Sequence, residues 1–184
     1  MKNLLPLFST AGKLKQVKRT GWRRKVGIRH GESVADHKFR TIFMATFISK
    51  RLGLNQNKMM KMATIHDLAE AIRGDLVTDG KHVDMTKKEK YALEQSAMKR
   101  IFSKIPEGKE YLSLWEEFES GKSREAQVMR EIDKLEMIMQ ALEYEKQGHP
   151  RKRLDPFWET TRSQITSKDM KELFDLLEKR RLKA

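Results

Sequence analysis

The 184-residue sequence predicts an all-α fold, a single-domain helical bundle. Three observations carry that expectation. Apolar residues recur at helical spacing along nearly the whole chain. Gly and Pro are sparse, 10 and 4 residues, which leaves little turn chemistry for a many-stranded β fold. Cap and stop residues also fall where the apolar periods begin and end. No internal repeat or low-complexity linker divides the chain, so residues 1–184 are expected to form one domain.

A short helix is expected near 3–11. Residues 13–31 form a basic, irregular stretch, with eight Lys or Arg and no acid between Lys13 and Arg29. The next helix is expected from about Ser33 to Leu52, with Phe39, Phe43 and Phe47 on its apolar face and Gly53 as its stop. Another runs from about Asn57 to Arg73 and ends at Gly74. A loop follows at 75–85, containing Asp79-Gly80. Thr86 with Glu89 is a capping-box signature for a helix that reaches about Ser103, with Pro106 marking its end. A helix at 107–119 ends near Gly121. Ser123 starts a long helix to about Gln147, stopped by Gly148 and Pro150, and helices near 155–164 and 167–182 finish the chain.

Composition narrows the chemistry. With no cysteine, structural disulfides and thiolate zinc sites are excluded, so any metal must be held by imidazole and carboxylate. The apolar run Leu4-Leu5-Pro6-Leu7-Phe8 is too short for a signal-peptide core or a membrane span, and a cytoplasmic protein without membrane contact is expected. The net charge of +13 favours anionic partners, whether nucleic acid, an anionic membrane or phosphorylated small molecules; a solvated basic surface explains it as well, and charge alone does not choose between them.

His66-Asp67 interrupts a strongly apolar helical segment. At 3.6 residues per turn, Met59, Ala63, His66 and Glu70 share one stripe with Asp67 beside it. Unpaired charge on a core-facing stripe is costly, so a compensating cation is expected. A lone buried His is more often a satisfied core residue, and only the grouping with Asp67 and Glu70 raises the alternative. Asp133 sits between Met129 and Met137 on the long helix, where an ion pair with Lys or Arg is the plainer explanation. His37 opens the first long helix. Together, His37, His66, Asp67 and Asp133 suit one divalent ion of borderline character. Asp75 follows Gly74 at a helix exit, where a carboxylate opposes the helix dipole; a loop cap and a functional role both account for it.

These residues stand in longer strings. Arg19-Thr20-Gly21-Trp22, Glu32 to His37, His66 to Asp75 and Glu131 to Met137 resemble the HD-domain metal-dependent phosphohydrolases. Within that family the resemblance is to the branch of bacterial and human 5′-deoxynucleotidases. It extends through Trp115 to Glu119 and Gln140 to Tyr144. The resemblance implies an HD-type bundle with a metal-binding core at about 33–147 and C-terminal helices at about 155–182. It implies hydrolysis of deoxynucleoside 5′-monophosphates, one divalent ion (Mn, Co, Zn, Ni, Fe or Mg) and a homodimer. By similarity His37, His66, Asp67 and Asp133 are the ligands, and Glu70 and Asp75 are the catalytic carboxylates. Arg19 would bind the substrate phosphate and Trp22 would help close the nucleotide pocket. Alarmone hydrolases of this fold resemble one another in an Asp after the helix-motif Glu, where this chain has Ala71. His30, His82 and His149 offer no convincing second metal set. A nucleic-acid-binding role would rest on the basic 13–29 run and tail, but no recognition motif accompanies them.

Overall fold

Capping chemistry sets the helix boundaries in the computed structural model, which describes residues 1–78 and 84–183. The expected Asp79-Gly80 turn and His82 lie outside the described residues. The helices are α1 (Leu4–Lys13), α2 (Val34–Arg51), α3 (Gln56–Ile65), α4 (Glu70–Arg73), α5 (Lys87–Phe102), α6 (Gly108–Ser120), α7 (Arg124–Lys146), α8 (Arg151–Gln164) and α9 (Lys168–Lys183). Ser33 and Asp36 form a reciprocal capping box at α2, and Thr86 and Glu89 form one at α5. Ser123 caps α7 through Ala126 N–H. Among the described residues the only β pairing is an isolated antiparallel bridge between Lys18 and Ser33, which ties the basic segment to the start of α2. No described helix is long and apolar enough to cross a membrane.

Several expectations are corrected. The basic segment holds a π-helical turn, Trp22–Val26, closed by Gly27 at φ 88°, a conformation that favours glycine. Helix α8 begins at Arg151, directly after Pro150, and carries Pro156 inside it instead of starting beside it. Phe39, Phe43 and Phe47 are 73, 57 and 60% exposed. The buried face of α2 is Val34, His37, Lys38, Thr41, Ala45 and Ser49, small or polar residues that let α3 and α7 approach closely.

The largest correction concerns the expected helix 57–73. It breaks after Ile65, and α4 is a separate short turn. The backbone hydrogen bonds show why. Glu70 N–H donates to Asp67 O, three residues back, at 3.1 Å, and not to His66 O. The freed His66 carbonyl accepts from Trp115 Nε1 at 3.2 Å. A buried indole N–H and a broken helical carbonyl thus satisfy each other. The break takes Asp67 and Glu70 out of a regular 3.6-residue stripe.

Two apolar clusters flank this break. One is built on α7 (Met129, Ile132, Leu135, Ile138) with Met59, Met62, Leu154 and Trp158. The other gathers Ile65, Leu68, Met98, Phe102 and Trp115. Helix α3 contributes to both, so its C-terminal end lies where they meet.

Candidate metal centre

Four elements deliver ionisable groups to that meeting point. Helix α2 brings His37, fully buried, and α7 brings Asp133. The end of α3 supplies His66, and the turn after it supplies Asp67. His37 Nε2 lies 3.1 Å from Asp133 Oδ1 and 3.5 Å from Asp67 Oδ2. His66 Nε2 lies 3.0 Å from Asp67 Oδ2 and 3.9 Å from Asp133 Oδ1. One ligand atom from each of the four falls within 4.8 Å of all the others. Donors on a common ion at ~2.1 Å stand roughly 3 Å apart when adjacent and about 4 Å when opposite. The observed spacings match.

Hydrogen bonding leaves the same atoms waiting. His66 Nδ1 lies 2.9 Å from the Ala63 carbonyl, so Nδ1 carries the proton and Nε2 keeps its lone pair. His66 Nε2, Asp67 Oδ2 and Glu70 Oε2 are buried with no hydrogen-bond partner. Buried polar atoms are rarely orphaned, and those of His66 and Asp67 belong to the group of ligand atoms that lie within 4.8 Å of one another, which fits a cation. The residues present therefore suit a divalent ion. A second group, Glu32, His37 and Glu136, shares His37. There, however, Glu136 already bonds His37 Nδ1 and Arg40.

The electrostatics are polarised. Burial pushes the Asp67 carboxyl up, but His66, Lys38 and His37 outweigh it and hold Asp67 well below the usual carboxylate range. Burial works the same way on Asp133, and Lys134 and His37 hold it low. Glu70 goes in the opposite direction. Burial, reinforced by the Asp67 and Asp75 charges, pushes its carboxyl well above the usual range. Burial disfavours the Arg19 charge, yet Asp75, Asp67, Asp133 and Glu70 together strengthen it.

Arg19 reaches the site from the N-terminal segment, with Nη1 3.5 Å from Asp67 Oδ2. Asp75 braces that segment. Its carboxylate accepts the Thr20 N–H, and its carbonyl accepts Thr20 Oγ1 at 2.7 Å. The exit of α4 is thereby tied to the strand of chain that carries Arg19. Trp22 is 1% exposed; its ring stacks on Phe157 at 4.4 Å and its Nε1 donates to Glu32 Oε1 at 2.9 Å. It is an anchored wall of the cavity. The structure thus brings His37, His66, Asp67, Asp133, Glu70, Asp75 and Arg19 together, with Trp22 beside them.

Sequence reasoning missed two cations, the buried Lys38 and the partly buried Lys90. Lys38 Nζ donates to Ala63 O at 3.2 Å, and burial lowers its pKa to about 8. Lys90, on α5, lines the cavity and pairs with Glu94 at 3.4 Å. Burial raises the Glu94 pKa to about 7 against the pull of Lys90. Lys38 had one signal, a lysine beside His37 in a helix that must bury that face. Lys90 had none, because it is one of three lysines in the polar first turn of α5.

A cavity of ≈ 880 Å³ opens beside the carboxylates. Its wall includes Arg19, Lys87, Lys90, Arg130 and Lys134, with Tyr91, Phe118 and Phe157 as apolar surface. Carboxylates line it as well, among them Asp67, Glu70 and Asp133, so the wall offers both signs of charge beside flat apolar surface.

Known proteins share this sequence and architecture. The HD domain model matches residues 11–174. The 5′-deoxynucleotidase HDDC2 of Dictyostelium discoideum is 40% identical over 177 residues, covering 90% of this chain and 91% of its own. The human protein of the same name is 37% identical over 182 residues, covering 98 and 87%. A conserved hypothetical protein from Pyrococcus furiosus superposes with a TM-score of 0.75 at 34% identity, covering 95% of this chain and 99% of its own. Matched over nearly its whole length in sequence and in fold, the chain belongs to the HD-domain family.

Proposed function

We propose that this protein is a metal-dependent 5′-deoxynucleotidase that converts deoxynucleoside 5′-monophosphates to deoxynucleosides and phosphate. The observation that supports this reading best is the set of buried atoms on His66, Asp67 and Glu70 that lack a hydrogen-bond partner and line a cavity whose wall carries both carboxylates and cations. Relatives named 5′-deoxynucleotidase, similar over most of the chain, supply the substrate class.

His37, His66, Asp67 and Asp133 would hold one divalent ion. Bound there, the ion supplies Lewis-acid charge that stabilises the phosphoryl group and acidifies water. Arg19 presents its guanidinium to the phosphate oxygens, and Lys90 adds positive charge from α5. Glu70 is the better placed proton acceptor. Its Oε2 is buried without a hydrogen-bond partner, whereas one oxygen of Asp75 already accepts the Thr20 N–H. The water oxygen adds to phosphorus as Glu70 takes its proton. The P–O5′ bond breaks, and the 5′-oxygen leaves with a proton returned by Glu70. Asp75 and Thr20 keep Arg19 in register, and Trp22 forms the cavity wall.

The basic residues around the cavity support a small anionic substrate over nucleic acid, because they converge on a concavity. A homodimer belongs to the same reading, as does a cytoplasmic location. For dimerisation, the exposed row Phe39, Phe43 and Phe47 is better suited than the C-terminal helices. Leu173 and Leu177 pack against the core, leaving Leu176 exposed.

The test is phosphate release from paired ribo- and deoxyribonucleoside 5′-monophosphates by metal-stripped protein, with Mn²⁺, Co²⁺, Zn²⁺, Ni²⁺, Fe²⁺ or Mg²⁺ added singly. Release should require metal, run faster with deoxy substrates, and vanish in Asp67→Ala protein. Release that is equal in the variant refutes the site.

A further inference from the structure

The two histidines of the metal centre are supported differently. His66 Nδ1 faces a neutral carbonyl, Ala63 O, at 2.9 Å. His37 Nδ1 faces a carboxylate, Glu136 Oε2, and both side chains are fully buried. Glu136 lies three residues after Asp133 on α7, so one helix face supplies both a metal-facing carboxylate and a histidine-facing one. The other oxygen of Glu136 accepts Arg40 Nε at 3.0 Å. Arg40 is fixed in turn by Gln140 Oε1 at 2.5 Å and Glu143 Oε1 at 2.5 Å. The result is a chain from α7 through Arg40 and Glu136 to the back of the His37 ring.

We propose that Glu136 is the positioning residue of the metal centre: it holds the Nδ1 proton of His37, fixes that ring with Nε2 toward Asp67 and Asp133, and makes His37 the stronger imidazole donor. This inference rests on the metal-centre reading. Its physical basis is that a carboxylate behind an imidazole raises the ring's basicity and locks its tautomer, which a backbone carbonyl does more weakly. Burial keeps water from competing for the Nδ1 proton. Arg40 aims the carboxylate, since a freely rotating Glu would leave the bond unmade for part of the time. Glu136 is not among the residues that line the cavity, and of the four grouped residues it bonds His37.

The experiment measures Zn²⁺ affinity by chelator competition for the wild-type chain, E136Q, E136A and E143Q. E136Q keeps the shape of the side chain, so it carries the test if E136A does not fold. E136Q and E136A should each weaken Zn²⁺ by about 10- to 100-fold. E143Q removes an exposed partner of Arg40 without touching His37, and should stay within about threefold. Nitrogen-15 spectra of the Zn²⁺-loaded proteins supply the second readout. The downfield Nδ1–H signal of His37 should shift or disappear in both Glu136 variants while that of His66 stays put. Wild-type affinity in E136Q with an unmoved His37 signal overturns the inference alone. Equal loss in E143Q overturns it too, by making the effect one of bulk charge. A wild-type chain that takes up no Zn²⁺ overturns both this inference and the metal-centre reading.

Discussion

Removing the metal should make the protein's stability fall with rising pH, and His37 is the reason. Burial opposes the His37 charge, as does Arg19, but Glu136 and Asp133 prevail and raise its pKa from 6.5 to about 9. A base with a raised folded-state pKa contributes stability that is complete below its unfolded value and is lost as pH climbs through the folded one. The window therefore opens near pH 6.5 and closes near 9. Between pH 6.5 and 8, linkage between those two values removes about 1.5 kcal/mol. For a chain of this size that corresponds to a fall of about 3–6 °C in melting temperature. Above pH 8 the slope flattens, because Lys38, lowered to about 8 by burial, has the opposite sign and begins to restore stability there. Glu94, raised to about 7, loses stability over the lower part of the window and adds to the slope. His37→Asn isolates the histidine share. Chelator-treated protein would be melted at both pH values by circular dichroism, beside metal-loaded protein and the variant. In loaded protein the ion occupies the place of the proton, so the His37 share disappears. The same slope in all three samples refutes the account.

Other expectations concern the reaction and the surface. Glu70→Gln should keep its metal content, measured by elemental analysis, while turnover falls about 10²- to 10⁴-fold; loss of metal instead would place Glu70 among the ligands. Arg19→Ala should weaken substrate binding more than metal retention, raising KM by about 10- to 100-fold, the worth of a charge-assisted hydrogen bond. Unchanged KM and kcat would remove Arg19 from the site. Phe43→Glu should leave the melting temperature close to wild type, since the ring is 57% exposed. If the chain forms the proposed homodimer through this row, the variant should also sediment as a monomer where the wild type sediments as a dimer; a dimer unaltered by the substitution would place the interface elsewhere.

Local sequence rules revealed the helical architecture and pointed to the four residues that the fold groups at the end of α3. Helix boundaries were legible because capping is local: Ser33, Thr86 and Ser123 each bond a backbone N–H three residues on. The group of His37, His66, Asp67 and Asp133 was legible because His66, Asp67 and Asp133 put charge where apolar spacing continues, and His37 joined them through the longer strings. Packing between distant elements settled three other matters. The break at His66 depends on Trp115, 49 residues away, which takes a carbonyl that local spacing assigns to a helix. The exposure of Phe39, Phe43 and Phe47 follows from α2 turning its small face inward, where His37 must reach α7. The Glu136 and Thr20–Asp75 contacts join residues 99 and 55 positions apart. Periodicity and capping act over a few residues, so they reveal helices and their faces. Which buried donor meets which acceptor is settled only when the helices pack, because leaving either unpaired in the interior is the larger cost.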